Sequence, residues 1–137
     1  MRSKIFIFLL SFTLFFITEI PCFAAIDYGK QTLVGNDFSK LDLRVAKITS
    51  TETIPEKSRI IKGTISLGDE ERDVIIGGAQ FYDPEDLIGK TVIVIANLEP
   101  KKMAGVESNA MLLAADIDDK PFWLTVNDDV PAGTKIK

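Results

Sequence analysis

The chain is predicted to fold as a small all-β, five-stranded barrel with one short helix between its third and fourth strands. Three observations carry that expectation. Apolar and polar residues alternate with a period of two over residues 41–48 and again over residues 61–67, the spacing of half-buried strands. The run Thr91-Val92-Ile93-Val94-Ile95-Ala96 is unbroken, apolar and rich in β-branched residues, which suits a strand buried on both faces. Between these segments, Asp83-Pro84-Glu85-Asp86-Leu87-Ile88-Gly89 reads as a single helical turn.

In chain order, Leu41, Leu43 and Val45 alternate with Asp42 and Arg44, and the apolar register then switches to Ala46 and Ile48. Such a switch is what a long strand does where a bulge bends it around a barrel. Ile61, Gly63, Ile65 and Leu67 alternate with Lys62, Thr64 and Ser66, giving a second strand with a polar outer face. A turn at Gly68-Asp69-Glu70-Glu71 leads to a third strand over residues 73–76. In the helical turn, Asp83 is placed to cap, Pro84 suits the first position and Gly89 ends it. After the fourth strand, a polar loop runs to Met111-Leu112-Leu113-Ala114-Ala115, a second apolar run expected to return to the core. A hairpin at Asp118-Asp119-Lys120 then leads to a strand over residues 122–126. No repeat or low-complexity tract interrupts this order, and residues 25–36 read as a polar connector.

The chemistry concentrates in the loop after the fourth strand. It holds Asn97, the adjacent Lys101 and Lys102, Gly105 and Ser108, and so offers cations, amide groups and a flexible backbone to a polar anion. A phosphate backbone is the obvious partner. The whole chain of 137 residues is acidic, with a formal charge of −4. Losing residues 1–24 would remove two basic residues and one acidic one, moving it to −5. A nucleic-acid binder of that sign needs a local basic surface. Arg44, Lys47, Lys57, Arg59, Lys62, Arg72, Lys101 and Lys102 are its candidates, while the acidic excess gathers around Asp69-Glu70-Glu71, Asp83 to Asp86, Asp116 to Asp119 and Asp128-Asp129.

Catalysis is disfavoured. The sequence has no histidine, the commonest general base and zinc ligand, and its single cysteine is Cys22. Ser108 has no imidazole partner, and no Gly-rich Lys-Ser/Thr phosphate loop occurs. Asp116-Ile117-Asp118-Asp119 lacks the pattern of a dedicated calcium loop, so no metal or cofactor is expected.

Three segments together carry a family resemblance: Asp37-Phe38-Ser39-Lys40-Leu41-Asp42-Leu43-Arg44-Val45-Ala46-Lys47-Ile48, the stretch from Asn97 to Ala115, and Val130-Pro131-Ala132-Gly133-Thr134-Lys135-Ile136. In order and spacing they resemble the tRNA-binding domain appended to methionyl-tRNA synthetases, which also occurs free-standing and in the endothelial monocyte-activating polypeptide family. The resemblance covers residues 37–137. It implies an OB-fold, a five-stranded Greek-key barrel with a C-terminal β extension, that binds tRNA by shape near the outer corner of the L. It further implies a homodimer joined through the chain after the barrel core, and methionyl-tRNA synthetase as a partner in trans. The tRNA-binding candidates are then Arg44, Lys47, Arg59, Lys62, Arg72, Asn97, Lys101, Lys102, Ser108 and Met111.

Each of these has a plainer reading. Asn97 can close the turn after the fourth strand, the lysine pair can be solvated, and Ser108 can bond its own backbone. Met111 reads as core on spacing alone, and Phe81, Tyr82 and Trp123 either stack on bases or fill the barrel. The chain also departs from the family pattern. Ile54-Pro55-Glu56-Lys57-Ser58-Arg59 replaces the usual His-Pro-Asn-Ala-Asp-Lys, Gly78 stands where an apolar residue is usual, and Ala110 replaces the common glycine before Met111. Gly77-Gly78-Ala79-Gln80 and the Pro55-Glu56 loop lean toward a secretion-chaperone branch of the same fold, a dimeric module for unfolded polypeptide.

The first 24 residues point elsewhere. Arg2 and Lys4 precede an apolar run over residues 5–17, and Pro21-Cys22-Phe23-Ala24 places small residues at −3 and −1 of a cleavage site after Ala24. That is the layout of a secretory signal peptide. The run is short for a membrane span, although it would serve as an uncleaved anchor. Export or membrane anchoring conflicts with a tRNA partner, which belongs in the cytoplasm. A downstream start is the third reading, and it meets the difficulty that no Met lies between Met1 and Met103.

Overall fold

The computed structural model describes residues 34–137. The signal-like segment and most of the expected connector lie outside them. Helix α1 (Gly35–Ser39) spans the expected boundary between connector and domain, and strand β1 (Leu43–Thr53) follows. Strands β2 (Ile60–Ser66) and β3 (Glu71–Gly77) form a hairpin, helix α2 (Pro84–Leu87) crosses over, and β4 (Thr91–Ile95) completes the first half. Then come β5 (Lys101–Met103), β6 (Val106–Ser108), β7 (Met111–Leu112), β8 (Ala114–Ile117) and β9 (Lys120–Trp123).

The main sheet is antiparallel with the order β3-β2-β1-β4-β7. Three strands in meander and a fourth returning beside the first is the Greek key. The bulge expected where the apolar pattern switches to Ala46 and Ile48 lies farther on, between Ile48 and Ser50. Leu43 and Val45 are buried on one side of the register switch, Ala46 and Ile48 on the other. Only the second pair joins the central cluster, with Ile61, Ile65, Leu67, Val74, Ile76, Leu87, Val92, Val94 and Ala96. Val45 pairs with Ile93, another buried residue outside that cluster, in a β1–β4 register that runs unbroken from Leu43 to Lys47, so Leu43 and Val45 lie on the face opposite Ala46 and Ile48 and both faces of this stretch are buried. Leu41 is not part of this pattern; it is exposed ahead of the strand.

The barrel is nearly closed by the segment before β7. The Ile75 N–H donates to Ser108 Oγ (3.1 Å) and the Asn109 N–H to the Asp73 carbonyl (3.0 Å), stitching β3 to the far edge. Leu87 of α2 is buried at 1% exposure in the same core, which is why one helical turn suffices here. Asp83 stands at the N-cap and Pro84 in the first turn as expected, but Asp83 makes no side-chain cap bond; its carbonyl receives the Asp86 N–H (3.0 Å). Gly89, with φ +85°, ends the turn.

Two departures concern the second half. Residues 111–115 do not return to the core as one strand: Met111 is 52% exposed, and the run breaks at Leu113 into β7 and β8. The physical reason is the partner supply. β7 pairs with β4 over two residues only, while Leu113 bonds through its N–H to Ile93 (2.9 Å) and accepts from Leu124 (3.0 Å). The strand expected over residues 122–126 starts earlier, at Lys120, because Asp118 and Asp119 both adopt left-handed φ (51° and 65°) and turn the chain tightly.

Beyond β9 the chain returns to β1. Val45 N–H donates to Thr134 (2.9 Å), Gly133 N–H to Val45 (2.7 Å) and Ile136 N–H to Leu43 (2.9 Å), covering the edge of β1 that β2 leaves bare. Gly133 (φ +90°) and Gly68 (φ +92°) meet at this seam; a Cβ on Gly133 would run into the Leu67 carbonyl, and one on Gly68 would lie 2.6 Å from the Ala132 oxygen. Gly78, unusual for the resemblance, has φ +78° and a Cβ there would strike the Pro121 ring, so its replacement of an apolar residue is fitted to Pro121.

Candidate nucleic-acid interface

In an OB-fold, oligonucleotides bind on the outer face of strands 2–3, flanked by the loop joining strands 1 and 2 and the loop joining strands 4 and 5. Here the first of these is residues 54–59, and the second, residues 96–110, contains the β5–β6 hairpin. The hairpin folds over β3. Its tip needs left-handed backbone at Ala104 (φ 51°) and Gly105 (φ 80°).

The ten candidates divide on this frame. Lys101 and Lys102 are exposed on β5, opposite Ser108 and Glu107, and neither forms an ion pair among the described residues. Arg59 is likewise exposed and unpaired in the first loop, together with Lys57. The Arg59 carbonyl accepts from Ala79 (3.1 Å), which holds this loop beside the end of β3. Lys62 is on the β2 outer face, but it is shared between Asp73 (3.4 Å) and Glu52 (4.0 Å).

Arg72 points the other way. Its position shares the interior-facing side of β3 with Val74 and Ile76, and its guanidinium caps the barrel mouth by donating to the Ala96 and Asn109 carbonyls, with Glu70 as its ion partner. Asn97 is also engaged: its Oδ1 accepts from the Asp42 N–H (2.9 Å) and its Nδ2 donates to the Lys40 carbonyl (2.7 Å), tying the end of β4 to the start of β1. Ser108 Oγ accepts from Ile75 and donates to the Ala110 carbonyl (3.1 Å) as part of the barrel closure.

Arg44 and Lys47 lie apart from the hairpin. Arg44 pairs with Asp42 (2.9 Å) beside the C-terminal tail. The hydrogen bond from Arg44 holds the Asp42 carboxyl below its ordinary range, partial burial opposing it, and Asp42 in turn raises Arg44. Lys47 is exposed opposite Thr91, at the end of β4 away from Asn97.

Sequence reasoning missed a groove of about 570 Å³ beneath the hairpin. Lys101, Ser108 and Met111 line it with Leu98, Met103 and Trp123. Its signal was the pair Met103 and Met111, of which only Met111 was a candidate. Phe81 is exposed, whereas Tyr82 and Trp123 pack against the core. No group of three or more metal-ligating side chains occurs among the described residues.

A nearly closed OB barrel with a basic hairpin over an apolar groove defines a small ligand-binding module. The family model for a putative tRNA binding domain matches residues 43–135, and the chain belongs to that family. It is 44% identical over 101 residues to the methionine–tRNA ligase of Thermotoga maritima, covering 74% of this chain and 16% of the ligase. The corresponding enzyme of Methanocaldococcus jannaschii is 46% identical over 99 residues, covering 72% of this chain and 15% of the ligase. The match thus spans a small part of each ligase. Among solved structures, a MetRS related protein from Pyrococcus horikoshii superposes with a TM-score of 0.74 at 34% identity, covering 78% of this chain and 99% of that one. The chaperone CsaA from Bacillus anthracis gives 0.71 at 30% identity, covering 78% of this chain and all (100%) of its own.

Proposed function

We propose that residues 37–137 are a non-catalytic module that binds folded tRNA by its shape, alone or in trans with a methionyl-tRNA synthetase. The observation that carries this reading is the β5–β6 hairpin, which presents Lys101 and Lys102 free of carboxylate partners in an otherwise acidic chain. Arg59 and Lys57 supply cations from the other flanking loop, and Met111 offers apolar contact in the groove. Lys62, Arg72, Asn97 and Ser108 set the shape of this surface, and Arg44 and Lys47 are further cations on β1, Arg44 paired with Asp42 and Lys47 exposed. The module is proposed to act as a homodimer through the chain after the barrel core, where Ile117 (59%) and Leu124 (41%) are exposed. Membrane association is proposed only for a form that keeps the N-terminal apolar run; no helix among the described residues is long and apolar enough to cross a membrane.

A competition assay tests the reading. Folded tRNA should displace a labelled tRNA better than a single strand of equal length and charge, because recognition is of a rigid corner. A second reading, a chaperone-like module for unfolded polypeptide, is favoured by the groove's apolar wall of Ile75, Leu98, Met103, Met111 and Trp123. It predicts salt-resistant capture of denatured protein with no preference for tRNA, and that result would displace the first.

A further inference from the structure

Single strands ordinarily run over the outer face of an OB barrel, their bases stacked on aromatic side chains and their phosphates tracked by cations. On this chain that face has neither provision. β1, β2 and β3 contain no aromatic residue. The pairing of the three strands sets their outward side chains in rows, with Glu52, Lys62 and Ile75 in one and Ser50, Thr64 and Asp73 in the next away from the first loop. Two carboxylates thus face one ammonium, and Lys62 is held by both, at 3.4 Å from Asp73 and 4.0 Å from Glu52. In the third row Glu71 stands level with Lys47 across Ser66, so no further cation is gained there.

Asp73 is the fixed member of the strip. Its carboxylate accepts from Thr64 Oγ1 (3.2 Å), and its carbonyl accepts from the Asn109 N–H (3.0 Å) at the root of the β5–β6 hairpin. Asp73 and Thr64 also line a hollow of about 520 Å³ between β3 and the loop that carries the hairpin, with Leu98, Pro100 and Asn109 on the loop side. A strand of RNA that leaves the hairpin and crosses β3, β2 and β1 meets Asp73, Lys62 and Glu52 in turn.

We infer that Asp73 and Glu52 are specificity determinants, residues that close the strand face to the phosphates of a single-stranded RNA and confine contact to the cations at its borders. The exposed cations outside ion pairs stand in two separate groups, Lys101 and Lys102 on the hairpin and Lys57 and Arg59 in the first loop. A folded RNA holds its phosphates at fixed separations and reaches both groups without lying on the strip between them. A flexible strand joins them only by crossing the carboxylates or by arching over them at a cost in chain entropy. The preference for a folded partner is then set by repelling the single strand as well as by attracting the fold. The inference rests on the tRNA-binding reading and adds to it the pair of residues that does the excluding.

The test uses the full chain in a mild non-ionic detergent, with a short labelled oligouridylate as the single strand and folded tRNA as the partner. Asp73→Asn keeps the size of the side chain and an oxygen for Thr64, and it should tighten oligouridylate about fivefold, the effect of one unit charge about 4 Å from another in bulk water. Glu52→Gln, at a side chain 70% exposed, should act in the same direction and serves where Asp73→Asn folds poorly by circular dichroism. The two together should gain more than either alone, while folded tRNA changes by less than about twofold. Asp129→Asn removes an equal charge from the tail side and should leave both ligands unchanged. Oligouridylate affinity unchanged in all three strand-face variants overturns the inference. An equal gain from Asp129→Asn also overturns it, since total charge would then be the cause, as does an equal gain for folded tRNA, which would leave no discrimination to explain. Lys101→Glu with Lys102→Glu, assayed with folded tRNA, tests the parent reading separately. Unchanged tRNA binding there moves the binding face off the hairpin, while the oligouridylate comparison still decides the role of Asp73.

Discussion

Replacing Lys101 and Lys102 together by Glu tests the hairpin against the rest of the basic surface. Both side chains are exposed and outside every ion pair among the described residues, so each is available to displace a counter-ion from a phosphate. Each phosphate so neutralised contributes roughly 0.7 to 0.9 to the log–log slope of affinity against salt. Losing two lowers the slope by about 1.4 to 1.8, so that raising salt from about 50 to 200 mM costs about 7- to 12-fold less affinity than in the parent. Lys62→Gln is the internal comparison. Its ammonium is already shared by Asp73 and Glu52, so removing it should change the slope by well under one unit. Filter binding or fluorescence anisotropy with folded tRNA over a salt series gives both slopes. An unchanged slope in the double variant, or an equal change in Lys62→Gln, would refute the assignment of the free cations to the binding face.

Other expectations concern the frame. Gly133→Ala, which meets the Leu67 carbonyl at φ +90°, should cost about 2 to 4 kcal/mol in thermal or urea unfolding. Gly68→Ala should cost a similar amount, and the pair should be less than additive because one seam is broken by either. Asp42→Asn should destabilise slightly at neutral pH. Because Asp42 titrates below its ordinary range in the fold, the stability it supplies is present above the unfolded carboxylate range and fades as pH falls through the folded value. The difference between parent and variant should therefore vanish in acid, and a gap that persists there would rule out the ion pair as its source. A chain beginning at Ala25 should unfold cooperatively and bind tRNA as well as the full chain, which should aggregate or need detergent; an unfolded shorter chain would show that the apolar run packs on the barrel.

The strands of the first half were legible because their neighbours sit at fixed period: Ile61, Ile65 and Leu67 face in while Lys62, Thr64 and Ser66 face out. The two adjacent buried positions Val45 and Ala46 marked β1 as unusual, but they reflect a stretch covered on both faces, and the irregularity itself lies farther on, between Ile48 and Ser50. The second half was not, because its order comes from distant partners. Nothing local in Met111-Leu112-Leu113 says that only two residues pair with β4, or that Ser108 closes the barrel through its hydroxyl. The setting of the site residues depends on distant partners in the same way. Residue type marked Arg44, Lys62 and Arg72 as free cations, but whether a cation is free depends on which carboxylate the fold brings up: Asp42, Asp73 with Glu52, and Glu70. Asn97 was read either as an RNA contact or as closing the turn after the fourth strand, and its amide does neither locally: both contacts reach back to Lys40 and Asp42 at the start of β1.

The clasp between Leu43–Val45 and the tail at Gly133–Ile136 joins segments made at the two extremes of the domain's synthesis. Until residues 133–136 have been made and docked, the leading half of β1 has its β4 side to fill but not its tail side, and it waits as an open edge. The seam can therefore close only after every strand of the main sheet has been made. A substitution that loosens the tail reopens that edge to any extended segment that meets it.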